Sequence, residues 1–361
     1  YYQQQLQQNT QALQYLNARG LSDQIIHQYG LGFSPKHQKP LHQILKLDQK
    51  DIALLQRTGM VYTDDQGRHN TRFRGRLIFP IRNLQGETVG FGGRQLTGGQ
   101  GPKYLNTPET ELFKKSFELY GLYEAKQVKK KLERLIVVEG YMDVISLAQH
   151  GVYNAVATLG TAINAQHIRN LARQAQHIAF CFDGDTAGQR AAWRALTQSL
   201  PIMQDGLHLS FVFLPHDDDP DSFIQKQGKS KFAEYFKQAK PATEFFFEHI
   251  VKNHRTDTLS GRAAAAQEAL ELIQTIPNGI FKHLMQQQLE ITLSLGKDAL
   301  AQVNPTPPSR TPSLRIEHDH LSQVISMLLQ CPSIYDAFTV SNLLKEQADT
   351  KIQWLLTLQH T

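Results

Sequence analysis

The sequence has 361 residues, enough for two or three domains and a sizeable buried core. Apolar residues make up 40% and charged residues 20%, which excludes a disordered chain, and no apolar run approaches the ~20 residues needed to cross a bilayer. The net charge of +5 hides a split: 20 Lys+Arg against 11 Asp+Glu in residues 1–134, 9 against 12 in 135–250, and 9 against 10 in 251–361. A basic segment followed by an acidic one suits a polyanion held beside a metal centre.

The polar, Gln-rich opening from Tyr1 to Gln14 has no signal-peptide pattern. A chain that starts at a tyrosine in helical character is read as a piece of a longer protein. Residues 11–60 read mostly as helix, interrupted at Gly30–Pro40, with Leu13, Leu16, Leu21, Ile25 and Ile26 on a buried stripe. From Arg72 to Gln95 the pattern is strand: Leu77–Ile81 and Thr88–Phe91 flank a hairpin turn at Asn83–Gly86, and Pro80 suggests an edge or irregular strand. Arg72, Arg74 and Arg76 alternate along that strand and so share one face. The Gly-rich stretch from Gly98 to Gly101 reads as a plain loop. Lys126, Lys129, Lys130, Lys131 and Arg134 read as a basic helical stretch, mostly a solvated face.

From residue 135 a different rhythm begins. Short apolar strands at Leu135–Val138, Ala155–Leu159, His177–Phe182 and Leu207–Leu214 alternate with helices, as in a parallel sheet covered on both faces. Cys181 lies inside a strand as a packing residue. With Cys331 it is too little for a disulfide framework or a Cys-rich zinc site, which points to a reducing, cytosolic setting. Residues 241–302 read as all-helical, with Phe245–Phe247 and Trp193 as core. Residues 303–313 are a Pro-rich linker by composition, and 314–361 are helical again.

Carboxylates fall at the strand ends. Glu139 closes the first strand and Asp143 follows one turn later; Asp183 and Asp185 follow the third; Asp217, Asp218, Asp219 and Asp221 follow the fourth. Sites in open α/β sheets assemble at this edge. Two such charges at about 4 Å repel by roughly 4 kcal/mol at an effective dielectric near 20, and a divalent cation removes that penalty. Hard oxygen donors favour Mg²⁺ or Mn²⁺ over zinc. Helix capping alone accounts for Asp185 or Asp221 taken singly, but not for Glu139 or for both Asp-x-Asp pairs.

Val138-Glu139-Gly140-Tyr141-Met142-Asp143, Phe182-Asp183-Gly184-Asp185-Thr186-Ala187-Gly188 and Asp219-Pro220-Asp221 resemble, in content, order and spacing, the Toprim motifs of bacterial DNA primase of the DnaG type. Arg72–Arg76 with Phe79–Ile81, Gly90–Arg94 and Pro102–Thr110 also resemble that family, over roughly residues 13–300. His216-Asp217-Asp218 departs from its more usual Asp-Gly-Glu.

The resemblance implies an α/β protein in parts: a basic mixed α+β N-terminal subdomain (1–134), a Rossmann-like Toprim catalytic subdomain (135–240), a C-terminal helical bundle (241–302), the linker (303–313), and the start of an incomplete helicase-binding region (314–361). It implies DNA-templated synthesis of short RNA primers on single-stranded DNA by metal-dependent nucleotidyl transfer. Glu139, Asp183 and Asp185 would be catalytic and, with Asp143, Asp219 and Asp221, would hold Mg²⁺ or Mn²⁺. Arg19, Arg72, Arg74, Lys103, Asn106 and Lys115 would bind template and nucleotide, with Tyr104 as a stacking platform. Zinc is expected only in the family's N-terminal zinc-ribbon domain, which these residues do not contain. Implied partners are the single-stranded template, ribonucleoside triphosphates, the replicative helicase and single-strand-binding protein, with no membrane and a monomeric chain, in the bacterial cytoplasm at replication forks. The alternatives are another Toprim enzyme (a nuclease or topoisomerase fragment), a phosphatase with Asp183 as nucleophile, and a non-catalytic helicase adaptor.

Overall fold

The computed structural model describes residues 1–36, 39–96, 101–129, 131–216 and 218–296. The linker and the following stretch at 303–361 lie outside them, as do Asp217, Lys130 and most of the Gly-rich loop.

The strands are β1 (Gly32–Ser34), β2 (Val61–Thr63), β3 (His69–Thr71), β4 (Arg76–Arg82), β5 (Thr88–Gln95), β6 (Tyr104–Asn106), β7 (Arg134–Val138), β8 (Ala155–Ala157), β9 (His177–Phe182), β10 (His208–Phe213) and β11 (Lys240–Pro241). The helices are α1 (Tyr2–Gln7), α2 (Thr10–Ala18), α3 (Asp23–Gln28), α4 (Leu41–Ile44), α5 (Gln49–Arg57), α6 (Leu122–Val128), α7 (Tyr141–Gln149), α8 (Ala165–Gln174), α9 (Thr186–Ser199), α10 (Pro220–Lys237), α11 (Ala242–Asn253), α12 (Leu259–Gln274) and α13 (Ile280–Thr292).

The N-terminal sheet runs β1-β4-β5-β6, all antiparallel. Its hairpin turns where expected. Asn83 Oδ1 accepts from the N–H groups of Gln85 and Glu87, and Gly86 takes a φ of +88°, which glycine adopts without a Cβ clash. β4 is an inner strand, yet β1 pairs only with Arg76–Ile78. Pro80 lies past the end of β1, where β4 has β5 alone as partner, so proline is tolerated.

The second sheet runs β11-β10-β9-β7-β8, with β7–β10 mutually parallel and β11 antiparallel at the edge. The buried positions of β7 to β10 are all apolar because α7 to α10 follow them across both faces. β7 leads to β8 on one side, whereas β9 and β10 lie on the other. The order therefore reverses between β7 and β9, the place where such sheets leave a crevice. One buried cluster joins the two sheets: Leu16, Phe79 and Tyr120 from the N-terminal half pack with Tyr141, Val144 and Phe223. The Tyr141 ring stacks on Phe79 at 5.0 Å. Gly92 makes this possible, because a Cβ there would sit 2.5 Å from Tyr141 Cζ.

Two expectations need correction. Residues 72–75 form a bend between β3 and β4, not a strand, so the three arginines do not share a face. Arg76 is buried and donates to the carbonyls of Gly93, Pro102 and Lys103. The basic stretch after residue 126 is not one helix either. α6 ends at Val128, and Lys129 turns extended (φ −143°) to feed β7. Cys181 and Phe245–Phe247 are core residues, and Trp193 packs its ring against Phe246 and His249.

Candidate active site

Glu139 follows β7 and Asp183 follows β9, so these two carboxylates flank the crevice at the switch point. The turn carrying Asp183 is set by Gly184, where a Cβ would lie 2.1 Å from the Leu214 carbonyl; only glycine lets this turn close on the end of β10. That closure brings the segment after β10 to the same edge.

The remaining acids are tied to helix starts. Gly140 N–H donates to Asp143 Oδ2 at 2.9 Å, closing the first turn of α7. Asp185 caps α9 by accepting from Gly188 N–H at 2.6 Å. Asp219, not Asp221, caps α10, accepting from Ser222 N–H at 2.6 Å. Asp221 sits in the first turn, 2% exposed, and accepts from the Arg19 guanidinium and the Gln225 amide. Asp218 pairs with Lys226 Nζ at 2.5 Å.

These carboxylates act on one another. Burial, then Glu139, Asp219 and Asp185, push Asp183 up to about 6. Burial, then Asp219, Asp221 and Asp183, push Asp143 up to about 8, against the Gly140 N–H that favours its charged form. Burial and Asp185 raise Glu139 as well. Among the described residues, the Glu139 and Asp183 side chains have neither a hydrogen-bond nor an ion-pair partner, and no three His, Cys, Asp or Glu side chains stand gathered as a metal-binding group. Burial and neighbouring like charges favour the protonated form of both carboxyls. The hard-oxygen donor set, with its two central members unengaged, fits a divalent cation.

Several residues beside the acids were not singled out as site residues from sequence. A cavity of about 290 Å³ adjoins Glu139, lined by Thr158, Thr161, Phe182 and Arg194. Arg94 lies over the Tyr15 ring (4.9 Å) and the Tyr104 ring (5.5 Å) and donates to Tyr104 Oη at 3.0 Å. Tyr104 is therefore already partnered by a cation on one side. Arg94 closes a Gly-Phe-Gly-Gly-Arg run, which was the one local signal for it.

Family models match three stretches: the DNA primase catalytic core N-terminal domain at residues 1–126, a Toprim-like domain at 136–224, and the DnaB-helicase binding domain of primase at 243–298. A DNA primase domain from Pseudomonas aeruginosa superposes with a TM-score of 0.80 at 43% identity, covering 84% of this chain and 95% of that one. The chain belongs to the DnaG-type bacterial DNA primase family. A DnaG primase catalytic domain bound to single-stranded DNA is similarly close, with a TM-score of 0.77 at 44% identity, covering 81% of this chain and 92% of that one. The DNA primase of Neisseria meningitidis is 46% identical over 304 residues, 84% of this chain and 51% of the relative. The chain thus spans about half the length of the curated primases it matches.

Within this primase family member the six expected template residues divide. Arg74 and Lys103 are exposed, Arg74 beside a cavity of about 610 Å³ that Lys39, His42 and His69 also line. Arg72 instead donates from Nε and Nη2 to the Asn106 carbonyl at 3.0 and 2.9 Å. Asn106 donates from Nδ2 to the Leu159 carbonyl and accepts from Tyr141 Oη at 2.8 Å, so it joins β6, α7 and the loop after β8. Arg19 is held by Asp221. Lys115 is half-buried, with its backbone N–H bonded to Glu109.

Proposed function

We propose that this chain carries template-directed synthesis of short RNA primers on single-stranded DNA by metal-dependent nucleotidyl transfer. The observation that carries the reading is the pair Glu139 and Asp183 at adjacent strand ends across the switch point, each raised by burial and neighbouring carboxylates and otherwise unengaged among the described residues. Glu139, Asp183 and Asp185 would hold Mg²⁺ or Mn²⁺, with Asp219 beside them and with Asp143 and Asp221 completing the cluster from buried positions. The bound cation supplies neutralisation of the triphosphate and a lowered pKa for the attacking 3′ hydroxyl.

The chain's own groups place the substrates. Arg74 and Lys103 give the N-terminal half exposed cations for template phosphates. Asn106 and Tyr141, bonded to each other, tie that half to the start of α7 beside Glu139. The cavity beside Glu139, with Arg194 in its wall, offers room and charge for a nucleotide. Helicase docking through the helical segment at 243–298 is in keeping with the family match there, and the work belongs in the cytoplasm at replication forks, with ribonucleoside triphosphates as substrates and single-strand-binding protein alongside. We read the chain as a monomer.

The test is primer synthesis on a short template with labelled ribonucleotides and Mg²⁺ or Mn²⁺. Asp183→Ala and Glu139→Gln should each reduce synthesis by more than about 100-fold and leave template binding nearly intact. Substantial synthesis by both variants defeats the reading. Cleaved DNA without primers would indicate a nuclease instead.

A further inference from the structure

The edge of the β7–β10 sheet opposite the carboxylates is also shaped and charged. Arg134 opens β7 and His177 opens β9, so the groove of about 1030 Å³ that both line lies at the N-terminal ends of the parallel strands. Its walls are the end of α6, the turn after it, the loop before β8 and the end of α8. Because α6 stops at Val128 and the chain turns, cations that would lie along a solvated helix face instead surround a hollow.

Among the described residues the lining holds five Lys or Arg side chains, Lys126, Lys129, Lys131, Arg134 and Arg173, against one carboxylate, Glu133. Glu133 is spent on Lys129 at 2.6 Å. Lys126 donates to the Gln174 amide oxygen, whereas the side chains of Lys131, Arg134 and Arg173 have no hydrogen-bond or ion-pair partner among the described residues. Two helix C-termini add partial negative charge of about half a unit each, which the free cations outweigh. Val128, 52% exposed, and half-buried Tyr153 supply apolar surface between the charges. Dispersed cations with apolar interleaving match an alternation of phosphates and bases, not a compact anion.

We infer that this groove is a second, sequence-independent binding surface for a single-stranded phosphodiester chain, separate from the acidic edge. β7 puts roughly 17 Å of strand between the two edges, at about 3.3 Å per residue, so one nucleic-acid strand can engage both. The inference rests on the polymerase reading only for which strand arrives: template DNA or product RNA.

The experiment compares oligo-dT and oligo-U of about 30 nucleotides with versions of about 8 nucleotides, a span one site fills, on the 361-residue chain. K126E/K131E/R173E should weaken binding of the long strands about tenfold and reduce the log–log salt slope by about 2, three contacts at ~0.7 each. Short-strand binding and primer synthesis on a short template should stay at wild-type levels. K126Q/K131Q/R173Q, with gentler surface changes, should move the slope in the same direction by a smaller amount. A loss confined to oligo-dT assigns the groove to template, one confined to oligo-U assigns it to product, and a loss in both supports the shared chemistry. Unchanged long-strand affinity for both polymers overturns the inference, as does an equal loss on short strands. Failure of the polymerase reading is seen separately, as absence of primers from the wild-type chain.

Discussion

Arg19 and Asp221, 202 residues apart in sequence, form an ion pair that ties the C-terminal end of α2 to the first turn of α10. Asp221 is 2% exposed while Arg19 keeps 35% of its surface, so the carboxylate depends on the guanidinium more than the reverse. Arg19→Ala strands a buried charge and should cost about 2–3 kcal/mol, below the 3–5 typical of a fully buried pair. Asp221→Asn should cost less. A double-mutant cycle by denaturant unfolding checks this; additive effects of Arg19→Ala and Asp221→Ala would show that the pair is uncoupled.

Asp143 predicts a pH signature. Its folded pKa, about 8, lies above its ordinary 3.8, so the folded state favours the protonated form. The stability this gives is complete below about pH 4 and is lost as pH rises towards 8. Asp143→Asn keeps an acceptor for Gly140 N–H and cannot ionise. In metal-free buffer it should match wild type at pH 4 and melt several degrees higher at pH 8.5. Parallel melting curves across that range would refute the burial argument.

Gly92→Ala drives a methyl into the Tyr141 ring. Overpacking of this kind costs typically 1–3 kcal/mol, and displacing Tyr141 also breaks its bond to Asn106. The expected outcome is a lower melting temperature and weaker primer synthesis. Adding Tyr141→Leu to make room should recover part of the stability but not the synthesis, since the bond to Asn106 stays broken.

Salt titration separates contact from scaffold among the basic residues. Arg74→Ala and Lys103→Ala should each lower the log–log slope for single-stranded DNA by about 0.7. Arg72→Ala and Asn106→Ala should lower the melting temperature and leave the slope unchanged, because their polar groups are bonded within the protein. Equal slope losses from all four would place Arg72 and Asn106 on the phosphate path.

How much was legible in sequence follows from how local each feature is. The β7–β10 strands and the helices between them were readable because continuous apolar runs and helical spacing are properties of neighbouring residues. The same holds for the hairpin at Asn83–Gly86 and for the acids at strand ends, since a parallel sheet delivers every strand end to one edge. The cap of α10 is Asp219, two residues before the Asp221 for which capping was the alternative reading, a shift within the usual spread of helix ends.

The sequence by itself determined the layer order, the edge where carboxylates gather and the basic character of the first half. Only the tertiary structure decided what each charge does. Arg76 and Arg72 serve backbone carbonyls, Arg19 serves Asp221, and Lys131 and Arg173 border a groove on the far edge. Identical side chains took these different roles because a charge's partner and its share of solvent depend on where distant segments cross, and no local pattern encodes that crossing.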